Sequence, residues 1–262
     1  MDGEVRPAAV AGMFYEGDAR TLRQSVDDLL ALVPRSSAPS PKVIVVPHAG
    51  HVYSGPIAAT AYASVTKPDS IERIVLVGPS HRVFLEGVAA PSVRALRTPL
   101  GDVLVDRDVI DQAGIAVSDA PHAREHSLEV QLPFMQRVFP NARVVPIVCG
   151  RASASDVASV LERLWGGPET LIVVSTDLSH YLPYDVGREA DTRTAEKIVA
   201  LDTDLSGEEA CGYVGLRGLL EIAKKKKLVC KLLDLRSSGD TAGRKTDEVV
   251  GYGAFALWEA RT

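Results

Sequence analysis

Three of the six histidines stand at equivalent places in the chain. His48 follows the apolar run Val43-Ile44-Val45-Val46 and Pro47. His81 follows Arg73-Ile74-Val75-Leu76-Val77 and Gly78-Pro79-Ser80, and His180 follows Leu171-Ile172-Val173-Val174 and Ser175-Thr176-Asp177-Leu178-Ser179. Imidazole is the side chain best suited to carry a proton near neutral pH and to bind a transition metal. Two carboxylates belong with these histidines: Asp177, three residues before His180, and Asp240, in a Ser/Gly turn after a late apolar run. Two imidazoles and one carboxylate can hold a metal ion on one face and leave positions open for other ligands. The same donors suit a catalytic zinc site with an open position. His180 fits an acid/base role, with Asp177 as its orienting partner. The metal-free alternative is a polar cleft lined by histidines.

These side chains need a scaffold that delivers them to one place. Short β-branched runs closed by Pro and Gly are buried strands that end in turns. Pro47 supplies no ladder donor, so the first strand stops there. A further strand, Ala142 to Val148, ends at Cys149-Gly150. Parallel strands would place all these carboxyl ends on one edge of a sheet, where α/β folds bind ligands. Between them lie helical patterns: Leu22, Val26, Leu29 and Leu30 behind the cap Asp18, then Ile57 to Val65, Asp106 to Ala113, Glu125 to Val138, Ser155 to Leu164, Tyr184 to Leu201, Ser206 to Cys211 and Val214 to Ala223. Strands are expected again at Leu228 to Leu235 and Val249 to Trp258, and fragments at 87–90, 103–105 and 115–117. Pro34 to Pro41 has a linker's composition, and Arg236 to Gly243 that of a polar turn. Regular alternation predicts an α/β fold, with residues 1–262 as a single domain and a central, mostly parallel or mixed sheet flanked by helices.

On a helix from Glu125, His126 and Glu129 would share a face. The spacing does not match H-E-x-x-H, which favours a substrate-facing or supporting role for His126 over direct ligation. His51, Tyr53, Arg82 and Tyr181, close to the three histidines in sequence, join His126 and Glu129 as candidates to contact a substrate; Arg236 is a weaker one.

Several function classes drop out. The net charge of −5 offers no pull toward nucleic acid or anionic membrane. The basic run Lys224 to Lys227 suits a solvated helix end. Dinucleotide, P-loop and nucleophile-elbow signatures are absent. Cys149, Cys211 and Cys230 are widely spaced and form no C-x-x-C pair, so a reducing, cytoplasmic setting is expected. Neither a signal-peptide pattern nor an apolar run of ~18 residues is found.

Longer words carry a family resemblance. Val5 to Tyr15 (VRPAAVAGMFY), Pro47-His48-Ala49-Gly50, Gly78-Pro79-Ser80-His81, Glu125 to Pro133 (EHSLEVQLP), Asp177-Leu178-Ser179-His180-Tyr181 and Val250-Gly251-Tyr252 together resemble the Memo family, whose prokaryotic members are also called AmmeMemoRadiSam system protein B. The family is similar in fold to the class III (LigB-type) extradiol dioxygenases. That resemblance implies His48 and His81 as metal ligands and His180 as the acid/base. Where the animal protein has a Cys after the matching Ser-Ser pair, this chain has Asp240, which implies an oxygen donor as third ligand. Fe(II) is the cofactor so implied, with Zn(II), Cu or no metal as alternatives. The resemblance leaves three functions open: a dioxygenase-like oxidoreductase, a module that binds a peptide or small ligand in the same cleft, and a metal-dependent hydrolase. A link to a radical SAM partner is implied by the family name alone.

Overall fold

Four runs of β-branched residues form the centre of the sheet. Val43–Val46, Thr170–Ser175, Arg73–Pro79 and Arg143–Cys149 lie side by side in that order, all parallel. They are buried almost throughout, as parallel strands covered on both faces must be. Val88–Ala89 closes one edge antiparallel to Arg143–Cys149. Gly251–Glu259 and then Leu228–Ser237 extend the other edge, also antiparallel, to give a mixed sheet of seven strands. The computed structural model describes residues 4–34, 38–241, 244–245 and 248–259. Parts of the Pro34–Pro41 linker and of the polar turn at Arg236–Gly243 lie outside them.

Register sets the geometry of the carboxyl edge. Val46 pairs with Ser175, and Val77 with Val174. The strands leading to His48 and His81 therefore flank the strand that leads to Asp177 and His180. One apolar cluster runs through the sheet and its helices, so the chain is a single-domain α/β protein with a mixed sheet.

The helix after the first strand starts at His51, not at Ile57, and runs to Ala63. Pro56 lies inside this helix, past its first turn, and removes one internal backbone hydrogen bond. A continuous helix from Glu125 to Val138 does not form. A 3-10 turn spans Glu129–Gln131, and an α-helix begins only at Leu132, with Pro133 in its first turn. Pro133 has no backbone N–H to give to an earlier carbonyl, so it suits the first turn of a helix and not the interior of one running from Glu125. Residues 206–211 form a turn rather than a helix, and the helix Tyr213–Lys225 starts behind it.

Candidate metal centre

The turns at the carboxyl edge bring three imidazoles together. His48, His81 and His126 each offer a ring nitrogen, and these atoms all lie within 4.8 Å of one another. The rings of His81 and His126 stack at 4.7 Å, and the His48 ring stands nearly perpendicular to both.

A chain of hydrogen bonds fixes the His48 tautomer. The Tyr62 hydroxyl donates to Gln131 Oε1 at 3.1 Å. Gln131 Nε2 then donates to the Pro47 carbonyl and to Ser175 Oγ. The Ser175 hydroxyl spends its proton on the Ser127 carbonyl at 2.7 Å. Ser175 Oγ can therefore only accept from His48 Nδ1, 3.0 Å away, which leaves His48 Nε2 as an acceptor. His48 is 2% exposed. Burial first, and then the neighbouring His81 and His126, push its pKa well below the ordinary value, so it is neutral.

His81 is held by Glu125. One carboxylate oxygen accepts the His81 backbone N–H at 2.6 Å, and the other accepts Nδ1–H at 2.9 Å and the Ser127 N–H at 2.9 Å. Burial works to raise the Glu125 pKa, but the hydrogen bond from His81 and its other donors outweigh it and hold the value at about 2. Glu125 is thus ionised, and His81 Nδ1 is the ring nitrogen it engages. His126 packs against Phe14, with centroids 4.8 Å apart. Its Nδ1 is buried, lies 3.4 Å from Glu125 Oε1 and makes no hydrogen bond. Burial, the largest influence, lowers its pKa to about 4. Three imidazole nitrogens within 4.8 Å of one another, one ring bearing an orphaned buried nitrogen, fit a transition metal such as iron, copper or zinc.

His180 stands just outside this group. Its Nδ1–H donates to the Leu178 carbonyl at 2.8 Å, which leaves Nε2 as an acceptor. Burial lowers its pKa, and His81 adds to the effect. Tyr181 follows in a left-handed backbone conformation, φ 56°, that turns the chain sharply.

The family model described as "Memo-like protein" matches residues 6–256. The chain belongs to the Memo-like family. Its relatives include MEMO1 family proteins of Caldivirga maquilingensis (34% identical, over 97% of this chain and 99% of the relative), Ignicoccus hospitalis (35%, over 95% and 97%) and Methanothermobacter thermautotrophicus (32%, over 95% and 98%).

In this Memo-like chain several side chains singled out in the sequence take other places. His126 joins His48 and His81, although its segment is not the expected helix. Asp240 is not in the three-nitrogen group. Its carboxylate accepts from the Tyr184 hydroxyl at 2.7 Å and from Ser237 N and Oγ at 2.9 and 3.0 Å, and pairs with Lys245. Burial opposes ionisation of Asp240, yet these donors hold its pKa at about 2. Asp177 does not orient His180. It accepts the His48 backbone N–H at 2.6 Å, beside that of Ala49, and so shapes the His48 turn. Burial raises its pKa to about 7.

Glu129 is consumed by structure: Arg6 at 2.6 Å, the backbone N–H groups of Ala9 and Val10, and the Tyr15 hydroxyl. His51 is buried between Tyr15 and Phe134, with Nε2 on the Val130 carbonyl. Tyr53, Arg82 and Tyr181 are exposed. Arg82 is near enough to His126 to lower its pKa, a smaller influence than burial. Arg236 pairs with Asp234. Two residues that sequence reasoning passed over matter here. Glu125 was read only as the start of a helix. Cys211 was read as one of three scattered cysteines, yet its Sγ lies 3.2 Å from His48 Nε2.

Proposed function

We propose that this Memo-like protein is a metal-dependent oxidoreductase of the dioxygenase-like kind, acting on a small hydroxylated substrate. The observation that carries the reading is the set of three imidazole nitrogens converging within 4.8 Å of one another at the carboxyl edge of the sheet. The resemblance to extradiol dioxygenases supports Fe(II) as the metal. Three imidazole donors are compatible with iron, and a facial set leaves positions open for small ligands. An iron ion there supplies a one-electron couple.

The chain's own residues do the rest. Ser175 and Glu125 hold His48 and His81 in the tautomer that offers Nε2, the outer support that fixes ligand orientation. His180, neutral at pH 7 and pinned by the Leu178 carbonyl, presents Nε2 to accept a proton from a substrate hydroxyl. Tyr53 and Tyr181 offer exposed aromatic surface nearby.

Elemental analysis after anaerobic loading with Fe(II) tests this reading. Wild type and Asp240→Ala are expected to retain near-stoichiometric iron, and His81→Ala and His126→Ala to lose it. Tight zinc binding that excludes iron would overturn the oxidoreductase reading in favour of a hydrolase. Metal loss in Asp240→Ala with full retention in His126→Ala would overturn the ligand set.

A further inference from the structure

The three cysteines differ in their surroundings. Cys149 and Cys230 belong to the apolar core, whereas Cys211 does not. Cys211 is half-buried in the turn just before the helix Tyr213–Lys225, among polar groups. Its Sγ accepts the Asp177 backbone N–H at 3.3 Å and lies 3.8 Å from Thr176 Oγ1. The turn is pinned to the strand end: Cys211 N–H donates to the Asp177 carbonyl, and Gly212 N–H to Thr176 Oγ1 at 2.9 Å. A Cβ at Gly212 would sit 2.7 Å from Thr176 Cβ and 2.8 Å from the Ser175 carbonyl, so only glycine permits this approach.

The pinned sulfur faces the nitrogen of His48 that the Ser175 contact leaves as an acceptor. The Sγ to Nε2 distance is 3.2 Å, and Sγ is the partner that the structure gives this nitrogen. A metal ion bound through His48 Nε2 must take the place of that contact and meets the sulfur beside it. Sγ lies on the His48 side of the cluster and is not part of the three-nitrogen group. There is also a charge argument. A divalent ion on three imidazoles brings two positive charges beside the buried His48, and Glu125 supplies one negative charge through His81. Buried charge is costly unless it is matched. A thiolate at Cys211 adds negative charge on the His48 side, where the Asp177 carboxyl also lies.

We propose that Cys211 is a sulfur donor to the metal held by His48, His81 and His126, an inference that rests on the metal reading above. On binding, the sulfur–metal bond forms, the S–H bond breaks and the proton leaves to solvent. A soft donor beside three imidazoles favours iron, copper or zinc over magnesium or calcium. It also gives this family member a thiolate from the loop before a helix, where the sequence pointed to an oxygen donor from the Ser237–Asp240 turn.

The test is a titration of the reduced, full-length protein with Co(II) under anaerobic conditions, followed by absorption. A sulfur-to-cobalt charge-transfer band in the near ultraviolet is expected in wild type and in Cys230→Ser. In Cys211→Ser the band should vanish while one cobalt still binds, weakened at least about tenfold, as losing even an outer partner of a ligand does. Stoichiometric cobalt binding to wild type without the band overturns the sulfur donor and leaves the metal site standing. The wild-type spectrum decides this even if Cys211→Ser does not fold. No cobalt binding to wild type at all overturns both readings.

Discussion

Glu125 does two jobs at His81, since it fixes the ring and supplies the charge that a cation would need. Replacing it with glutamine keeps the shape and removes the charge. Glu125→Gln is expected to weaken metal binding by about 10–100-fold, measured by competition with a chromophoric chelator. The same substitution changes acid stability. The folded pKa of Glu125, about 2, lies below its ordinary 4.5. Its contribution is therefore complete above about pH 4.5 and is lost as pH falls toward about 2. Urea unfolding across that window should be less pH-dependent in Glu125→Gln than in wild type. The histidines act with the same sign in a higher pH window. His51, His122 and His126 are each pushed down to about 4, in every case chiefly by burial. Between their ordinary value of 6.5 and about 4 the unfolded chain binds more protons, so stability should fall steadily as pH drops through that range. A flat urea midpoint from pH 7 to 4.5 would contradict the burial of these rings.

At the scale of elements, the N-terminal segment straps down the loop that carries Glu125 and His126. Arg6 reaches across to it with three groups: Nε on the His122 carbonyl at 2.6 Å, Nη2 on the Glu125 carbonyl at 2.7 Å and Nη1 on Glu129 at 2.6 Å. Both partners of the ion pair are almost fully buried. Arg6→Met leaves Glu129 charged and poorly matched, at a cost of roughly 3–5 kcal/mol. Urea denaturation reads that loss, and metal affinity should fall with it because His126 loses its support. A variant that binds metal normally would show the strap to be purely structural. This dependence explains which parts of the site were legible in the sequence. His48 and His81 stand at the ends of strands whose β-branched runs announce themselves, so their convergence followed from topology. His126 stands in an irregular loop held by Arg6, so helical spacing could not place it. The seven-stranded sheet was readable for the same reason as His48. The start of the helix at His51 was hidden by Pro56, which reads as a breaker but lies inside the helix, past its first turn. Asp240 was singled out by type and turn context, yet local donors in Ser237 and Tyr184 claim its oxygens. Cys211 carried no spacing signal, because a turn pinned through Gly212 is a tertiary feature.

Across the whole molecule, the cluster joins distant parts of the chain. His48 and His81 come from two strands that flank a third, and His126 from a loop tied to the N-terminus. Among the described residues no helix is long and apolar enough to cross a membrane. A ligand that bridges these segments binds only the folded state, so its binding energy is folding energy. At a free metal concentration of ~100 times Kd the gain is about 2.7 kcal/mol. For a chain of this size about 1 kcal/mol moves Tm by roughly 2–4 °C, which gives an expected rise of ~5–10 °C. The rise should grow with the logarithm of metal concentration, reverse on adding EDTA and vanish in His81→Ala. It should persist in Asp240→Ala, whose carboxylate is occupied within its own turn. A Tm that ignores metal in wild type would mean that the three imidazoles converge without binding an ion, and the cleft would then have to act through its histidines alone.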